Sequence, residues 1–179
     1  MASLKGLTEF SHILTQLLQE IGVDSKGEGR VPGGCLVIAK SHLDQQLDRA
    51  LEQQAREGGI VLPVVVERHA IRIGPLLSVA GGPCLLCVRR RRGQHDHNLS
   101  NEVGPTNDDE FDMNLLRATA AIVAGYICRD FAGRSLTVLS RLDGDIRVHR
   151  VVPCDDCPKC AMPNTGPVAS TTSGLEVAT

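Results

Sequence analysis

Aromatic side chains are almost missing from this chain: no Trp, one Tyr and three Phe occur in 179 residues. Phe10, Phe111, Tyr126 and Phe131 make up the whole set, so the core must be built from Val, Leu, Ile and Ala. Base-stacking platforms of the kind that grip single-stranded nucleic acid are equally scarce. An excess of basic charge is missing too. The formal net charge is -2 at pH 7, which removes the bulk counterion-release grip on nucleic acid. No apolar run approaches the roughly 20 residues that span a bilayer. Met1 to Gly22 lacks the charged start, greasy middle and small-residue cleavage site of an export signal. Together these absences predict a cytoplasmic protein with no membrane contact. Phosphate signatures are lacking as well. There is no Gly-x-x-x-x-Gly-Lys-Ser/Thr loop, and Gly27, Gly29, Gly33 and Gly34 lie in a charged stretch that no hydrophobic strand precedes.

What is present fits one ordinary domain. Hydrophobic residues make up 42% and charged residues 22% of the chain, close to the average for globular domains. Residues 1–161 read as one α/β domain, and 162–179, rich in Ser, Thr, Gly and Pro, as a disordered tail. Leu7, Phe10, Ile13, Leu14, Leu17, Leu18 and Ile21 recur at helical spacing, with Gly22 placed as a C-cap. Cys35–Ala39 and Val61–Val66 are continuous apolar runs, read as strands buried on both faces. Between them Leu43, Leu47, Ala50 and Leu51 share a helix face that Ser41 is placed to cap. Strand, helix and strand in that order predict a right-handed parallel crossover.

Further on, His69–Ile73 reads as a short strand, and residues 89–110 as a polar, mobile loop. Leu115–Ile127 is apolar nearly throughout and too long for one strand, so it predicts a buried helix. Leu136–Arg141 and Ile146–Val152 flank Asp143-Gly144, a hairpin turn signal. The predicted architecture is a small, mostly parallel sheet with flanking helices, a C-terminal β-hairpin and a tetra-cysteine zinc knuckle.

The knuckle comes from the cysteines. Seven occur, an odd number in a chain without an export signal, which favours metal or thiol chemistry over a disulfide framework. Cys84-Leu-Leu-Cys87 and Cys157-Pro-Lys-Cys160 are two Cys-x-x-Cys pairs. Two residues between thiolates let one tight turn aim both sulfurs at an ion, and two such turns supply a closed tetrahedral shell. Such a site is structural, because no position stays open for water. Pro83 and Pro158 fix the local backbone of both turns. Cys154 shares the two-residue spacing with Cys157, so it is a spare thiol or an alternative ligand in place of Cys160. Cys35 and Cys128 sit at the ends of apolar segments and read as small core residues.

Gly74-Pro-Leu-Leu77, then Gly82-Pro-Cys-Leu-Leu-Cys87 with its trailing arginines and a terminal Cys-Pro-x-Cys, resembles the E1-like (ThiF-related) proteins of bacterial thiazole/oxazole-modified peptide biosynthesis. The resemblance covers roughly residues 33–160, and the strand, helix and strand around Cys35 to Val66 precede the motif in the expected order. It implies a structural zinc on the four cysteines. Since the nucleotide-binding glycine turn is missing, it implies the C-terminal, zinc-binding half of such a protein. The role implied is a non-catalytic accessory or scaffold subunit. It would present a precursor peptide to, or activate, a YcaO-type, ATP-using cyclodehydratase, and a sheet edge left uncovered in a half-domain would suit a partner chain or homodimer.

Two other features carry candidate chemistry. Arg89, Arg90, Arg91 and Arg92 form a charge run that reads as a solvated loop or as a dock for an acidic peptide or partner, since guanidiniums pair bidentately with carboxylates. Asp108, Asp109, Glu110 and Asp112 could instead neutralise it within the chain. His95-Asp-His97 is a bare pair of possible metal ligands. Two rival functions remain open: a zinc-ribbon nucleic-acid module working through the arginines, and a thiol oxidoreductase or sulfur carrier using Cys84 and Cys87 or Cys154. Ser78, Ser100 and Ser140 have no recognisable base or orienting partner, so no catalytic residue is assigned.

Overall fold

The computed structural model describes residues 4–22, 34–41, 43–57, 60–78, 83–95, 110–128, 134–158 and 160. The readings at Gly27–Gly33, Asp96-His97 and 162–179 lie outside them. In chain order the elements are β1 (Leu4–Lys5), α1 (Gly6–Glu20), β2 (Gly34–Ala39), α2 (Gln45–Glu57), β3 (Ile60–Val66), β4 (Ala70–Ile73), β5 (Leu77–Ser78), α3 (Leu85–His95), β6 (Glu110–Phe111), α4 (Met113–Cys128), β7 (Ser135–Ser140) and β8 (Ile146–Arg150).

The main sheet runs β2-β3-β4-β7-β8, with β5 also paired to β3. The α/β class, flanking helices and C-terminal hairpin agree with the sequence reading. The sheet itself is mixed, not mostly parallel. β2 and β3 pair in parallel around the α2 crossover, as predicted, while β3–β4, β3–β5, β4–β7 and β7–β8 are antiparallel. The physical reason is connection length. Val66 is joined to Ala70, and Ser140 to Ile146, by links far too short for a parallel return, which takes a dozen residues or more.

β3 is the central strand, and its buried run divides by alternation. Leu62, Val64 and Val66 face a core formed with Phe10, Leu14 and Leu18 of α1 and Leu116, Ala120, Val123 and Tyr126 of α4. Val61 and Val65 face a second core with Leu47 of α2 and Leu85 and Val88 of α3. The sheet is therefore sandwiched between two helix layers, which explains why the strand reads as apolar throughout. β2, by contrast, is an edge strand, and Cys35 to Ile38 are only half-buried. Both of its faces are nevertheless packed, Leu36 and Ile38 against the first core and Cys35 and Val37 against the second; the exposure that is left comes from the outer edge, which has no strand neighbour among the described residues.

Two local expectations change. The cap of α2 is Asp44, whose carboxylate accepts the Gln46 amide at 2.9 Å, while Ser41 accepts the Leu43 amide one turn earlier. Leu43 lies outside the helix and is exposed. Residues 89–95, read as the start of a mobile loop, belong instead to α3, and 96–109 of that loop lie outside the described residues; leucine and arginine are strong helix formers, but a four-arginine run shows no apolar period to reveal the helix.

The scarce aromatics concentrate in the first core. Phe10 and Phe111 pack with ring centroids 4.9 Å apart, and the Tyr126 hydroxyl donates to the Ser135 carbonyl at 2.8 Å, with its oxygen 3.1 Å from Thr137 Oγ1. Gly74 sits against this corner at φ +83°, where an added Cβ would lie 2.7 Å from the Ser135 oxygen and 3.1 Å from the Tyr126 ring. Both the positive φ and the close approach call for glycine there.

Candidate metal centre

α3 begins immediately after Cys84, so the first Cys-x-x-Cys is wound into a helix N-terminus. Cys84 occupies the cap position and Cys87 the first turn, where unpaired amides and the positive end of the helix dipole favour anionic sulfur. The second pair lies in tight turns beyond β8, where the Cys157 amide donates to the Cys154 carbonyl at 3.1 Å and the Cys160 amide to the Cys157 carbonyl at 3.2 Å. Those turns bring Cys157 and Cys160 over the start of α3.

The four sulfurs of Cys84, Cys87, Cys157 and Cys160 lie within 4.8 Å of one another. Separations among them include 3.8 Å for Cys84–Cys87, 3.5 Å for Cys84–Cys157 and 3.7 Å for Cys87–Cys160. Tetrahedral zinc with Zn–S bonds of about 2.3 Å needs sulfur pairs about 3.8 Å apart. Spacing and donor type therefore suit one divalent ion, and soft thiolate ligands are compatible with zinc. Burial pushes the Cys84 and Cys160 thiols up, so bringing them together as anions calls for a cation at the centre.

Backbone donors complete the surroundings. The Cys84 amide donates to Cys160 Sγ at 3.1 Å, and the Cys154 amide to Cys87 Sγ at 3.2 Å. Amides aimed at coordinated sulfur orient the ligands and spread their charge. Cys154 is buried beside Cys87 and Cys157, its thiol also pushed up by burial, but its sulfur is outside the mutually close quartet. What it offers the site in this geometry is its amide.

The arginine run radiates from α3 at helical steps of about 100°, so consecutive side chains reach different neighbours. Arg89 forms a bidentate pair with Asp48 of α2, at 3.1 and 3.0 Å. Arg90 reaches Asp156 at 3.0 Å, between the C-terminal cysteines. Arg91 donates to the Val152 and Pro153 carbonyls at 3.4 and 3.3 Å. Arg92 pairs with Glu67, which also holds Arg72 at 2.9 Å. Each guanidinium thus has a partner within the chain, and an external carboxylate would have to displace one. The partners seen are Asp48, Asp156 and Glu67; Asp108 and Asp109 of the acidic stretch lie outside the described residues.

Glu67 went unnoticed in the sequence, where it looks like a polar residue ending a strand. It is buried, and its main chain is held as well: its amide donates to the Ala70 carbonyl, and its carbonyl accepts Arg141 Nη1 at 2.9 Å. Arg141 in turn lies 4.3 Å over the Phe111 ring. Only the fold brings these groups together, and no local spacing announces them. Of the remaining candidates, Cys35 is half-buried on β2 and Asp155 is exposed. No helix among the described residues is long and apolar enough to cross a membrane.

No family model and no curated protein matches the chain. Solved structures do. A heterocyclase in complex with substrate and cofactor superposes with a TM-score of 0.63 at 18% identity over 84% of this chain. The heterocyclase TruD does so with a TM-score of 0.58 at 14% identity over 88%. The E. coli protein MccB, solved with AMPCPP and MccA, gives a TM-score of 0.48 at 12% identity over 72%. This chain spans about a quarter of the two heterocyclases, 23% and 26% of their lengths. At such identities the likeness is one of fold: the chain has the fold of a segment of these heterocyclases.

Proposed function

We propose that this chain is a non-catalytic, E1-like accessory subunit in the biosynthesis of a ribosomally made, heterocyclised peptide, acting in the cytoplasm. It presents the precursor peptide to, or activates, a YcaO-type cyclodehydratase. The observation that carries the reading is the shared fold with two heterocyclases over 84% and 88% of the chain. The chemistry of the site supports it. Four thiolates would fill a tetrahedral shell, so zinc bound by Cys84, Cys87, Cys157 and Cys160 serves as a staple between α3 and the end of the chain, and substrate has no open coordination position. In this reading the cyclisation chemistry falls to the partner.

The rival readings have less to stand on. A nucleic-acid module would work through Arg89 to Arg92, whose guanidiniums are engaged within the chain. A redox pair at Cys84 and Cys87 would leave the other two sulfurs unexplained. The test is reconstitution: a YcaO-type enzyme, ATP and precursor peptide are incubated with and without this chain, and azoline formation is followed by mass spectrometry as loss of one water per ring. Faster ring formation and co-purification with the enzyme are expected. Identical rates with and without the chain would sink the proposal.

A further inference from the structure

The two edges of the main sheet differ. β2 is half-buried, with α2 packed beside it, whereas β8 is exposed at all five positions. Its sequence, Ile146-Arg-Val-His-Arg150, has no carboxylate. Register with β7 puts Ile146 opposite Leu139 and Val148 opposite Thr137, so both lie on the face that the α1/α4 layer covers farther in. Leu139 and Thr137 are 2% and 4% exposed, but Ile146 and Val148 are 50% and 64% exposed. The apolar face therefore runs on past its helices.

The hydrogen-bond phase is fixed as well. Ser140 N donates to Asp145 O at 2.8 Å and Val151 N to Arg134 O at 2.7 Å. In an antiparallel ladder such pairs alternate, so Arg147 and His149 aim their amides and carbonyls at β7. Ile146, Val148 and Arg150 aim theirs outward, and no strand among the described residues pairs with that side.

We propose that β8 is the docking edge for an extended acidic peptide segment, which adds to the sheet as its next strand. Outward amides and carbonyls supply the main-chain bonds. Apolar side chains of the peptide meet Ile146 and Val148, and carboxylates meet Arg147 and His149 on the other face. The Arg147–Asp145 pair, 2.8 Å long and exposed on both sides, is weak enough to yield. Charge also argues against a second copy of this chain: antiparallel pairing about Val148 would set Arg147 against His149 with no carboxylate on either strand. Cations on an edge are a usual device against self-pairing.

In the accessory-subunit reading this edge is where the precursor peptide sits, and the deeper claim rests on that reading only for the peptide's identity. The probe is a short fluorescein-labelled peptide alternating valine with glutamate, with a lysine-for-glutamate counterpart, followed by anisotropy and by hydrogen exchange on the full chain. The glutamate peptide is expected to bind about tenfold or more tighter than the lysine one and to slow exchange at the Ile146, Val148 and Arg150 amides. Val148→Pro removes an outward amide without removing a bond to β7 and should weaken binding about tenfold or more. Should that variant fail to fold, Arg147→Glu with His149→Glu decides, because it should reverse the preference between the two peptides. Equal binding of both peptides, protection elsewhere, affinity unmoved by a folded Val148→Pro, or dimerisation through β8 would each overturn the proposal. Peptide binding without any effect on a cyclodehydratase would sink the accessory role and leave this edge standing. Stimulation untouched by Val148→Pro would do the reverse.

Discussion

The sharpest perturbation compares two neighbouring thiols, Cys160→Ser and Cys154→Ser. Cys160 Sγ belongs to the quartet whose sulfurs lie within 4.8 Å of one another, and Cys154 Sγ does not. Structural zinc bound by four ligands contributes on the order of 10–16 kcal/mol near neutral pH. Shared among four ligands, that is about 2.5–4 kcal/mol each, or about two to three decades of affinity at 1.4 kcal/mol per decade. Cys160→Ser should therefore weaken zinc binding by about 100- to 1,000-fold. Cys154→Ser keeps the amide that donates to Cys87 Sγ and loses only a buried neighbour. Its cost should stay within about tenfold, the lower end of what outer-shell changes do. The assay is competition against a chromophoric chelator of known affinity, with zinc and iron measured in freshly purified protein, since both metals accept four sulfurs. Protein isolated without metal, or equal losses in the two variants, would refute the reasoning.

Two further outcomes concern stability and are read by urea unfolding. Glu67→Ala should destabilise the fold by about 3–5 kcal/mol, because it removes a buried carboxylate and leaves the largely covered Arg92 without its anion, and frees Arg72 as well; a loss under about 1 kcal/mol would mean that Arg92 escapes to water. Burial pushes the Tyr126 hydroxyl above its usual value of 10.0. A raised folded pKa means that the stability it contributes is full below about pH 10 and is lost as pH rises through the folded value. Tyr126→Phe should cost about 1 kcal/mol at neutral pH, through the bond to Ser135, and should flatten the alkaline decline. An unchanged decline would locate its cause elsewhere.

Much of the fold could be read from the chain because its signals are local. Apolar spacing along α1 and α4, the β2-α2-β3 crossover and the Asp143-Gly144 turn each depend on residues within a few positions of one another. The hairpin follows that reading, with Gly144 at φ +74°, where glycine carries no steric cost. Both Cys-x-x-Cys turns were visible for the same reason: two-residue spacing is a statement about one turn of backbone.

The errors share a cause as well. α3 was hidden because its buried face is only Leu85, Cys87 and Val88, followed by four arginines whose partners lie on α2, at the end of β3 and in the terminal turns. Sheet direction depended on link lengths that a crossover reading of one unit does not extend to its neighbours. The choice between Cys154 and Cys160 could not be made from equal spacings, since each lies three positions from Cys157. By itself, then, the sequence determined α1, α2 and α4, the strands β2, β3, β4, β7 and β8, and two Cys-x-x-Cys turns, because those follow from backbone period and residue type. Tertiary structure alone decided which sulfurs meet, where the arginines are neutralised and which strand is left at the rim, because distances between remote segments are set by packing the two helix layers on the sheet.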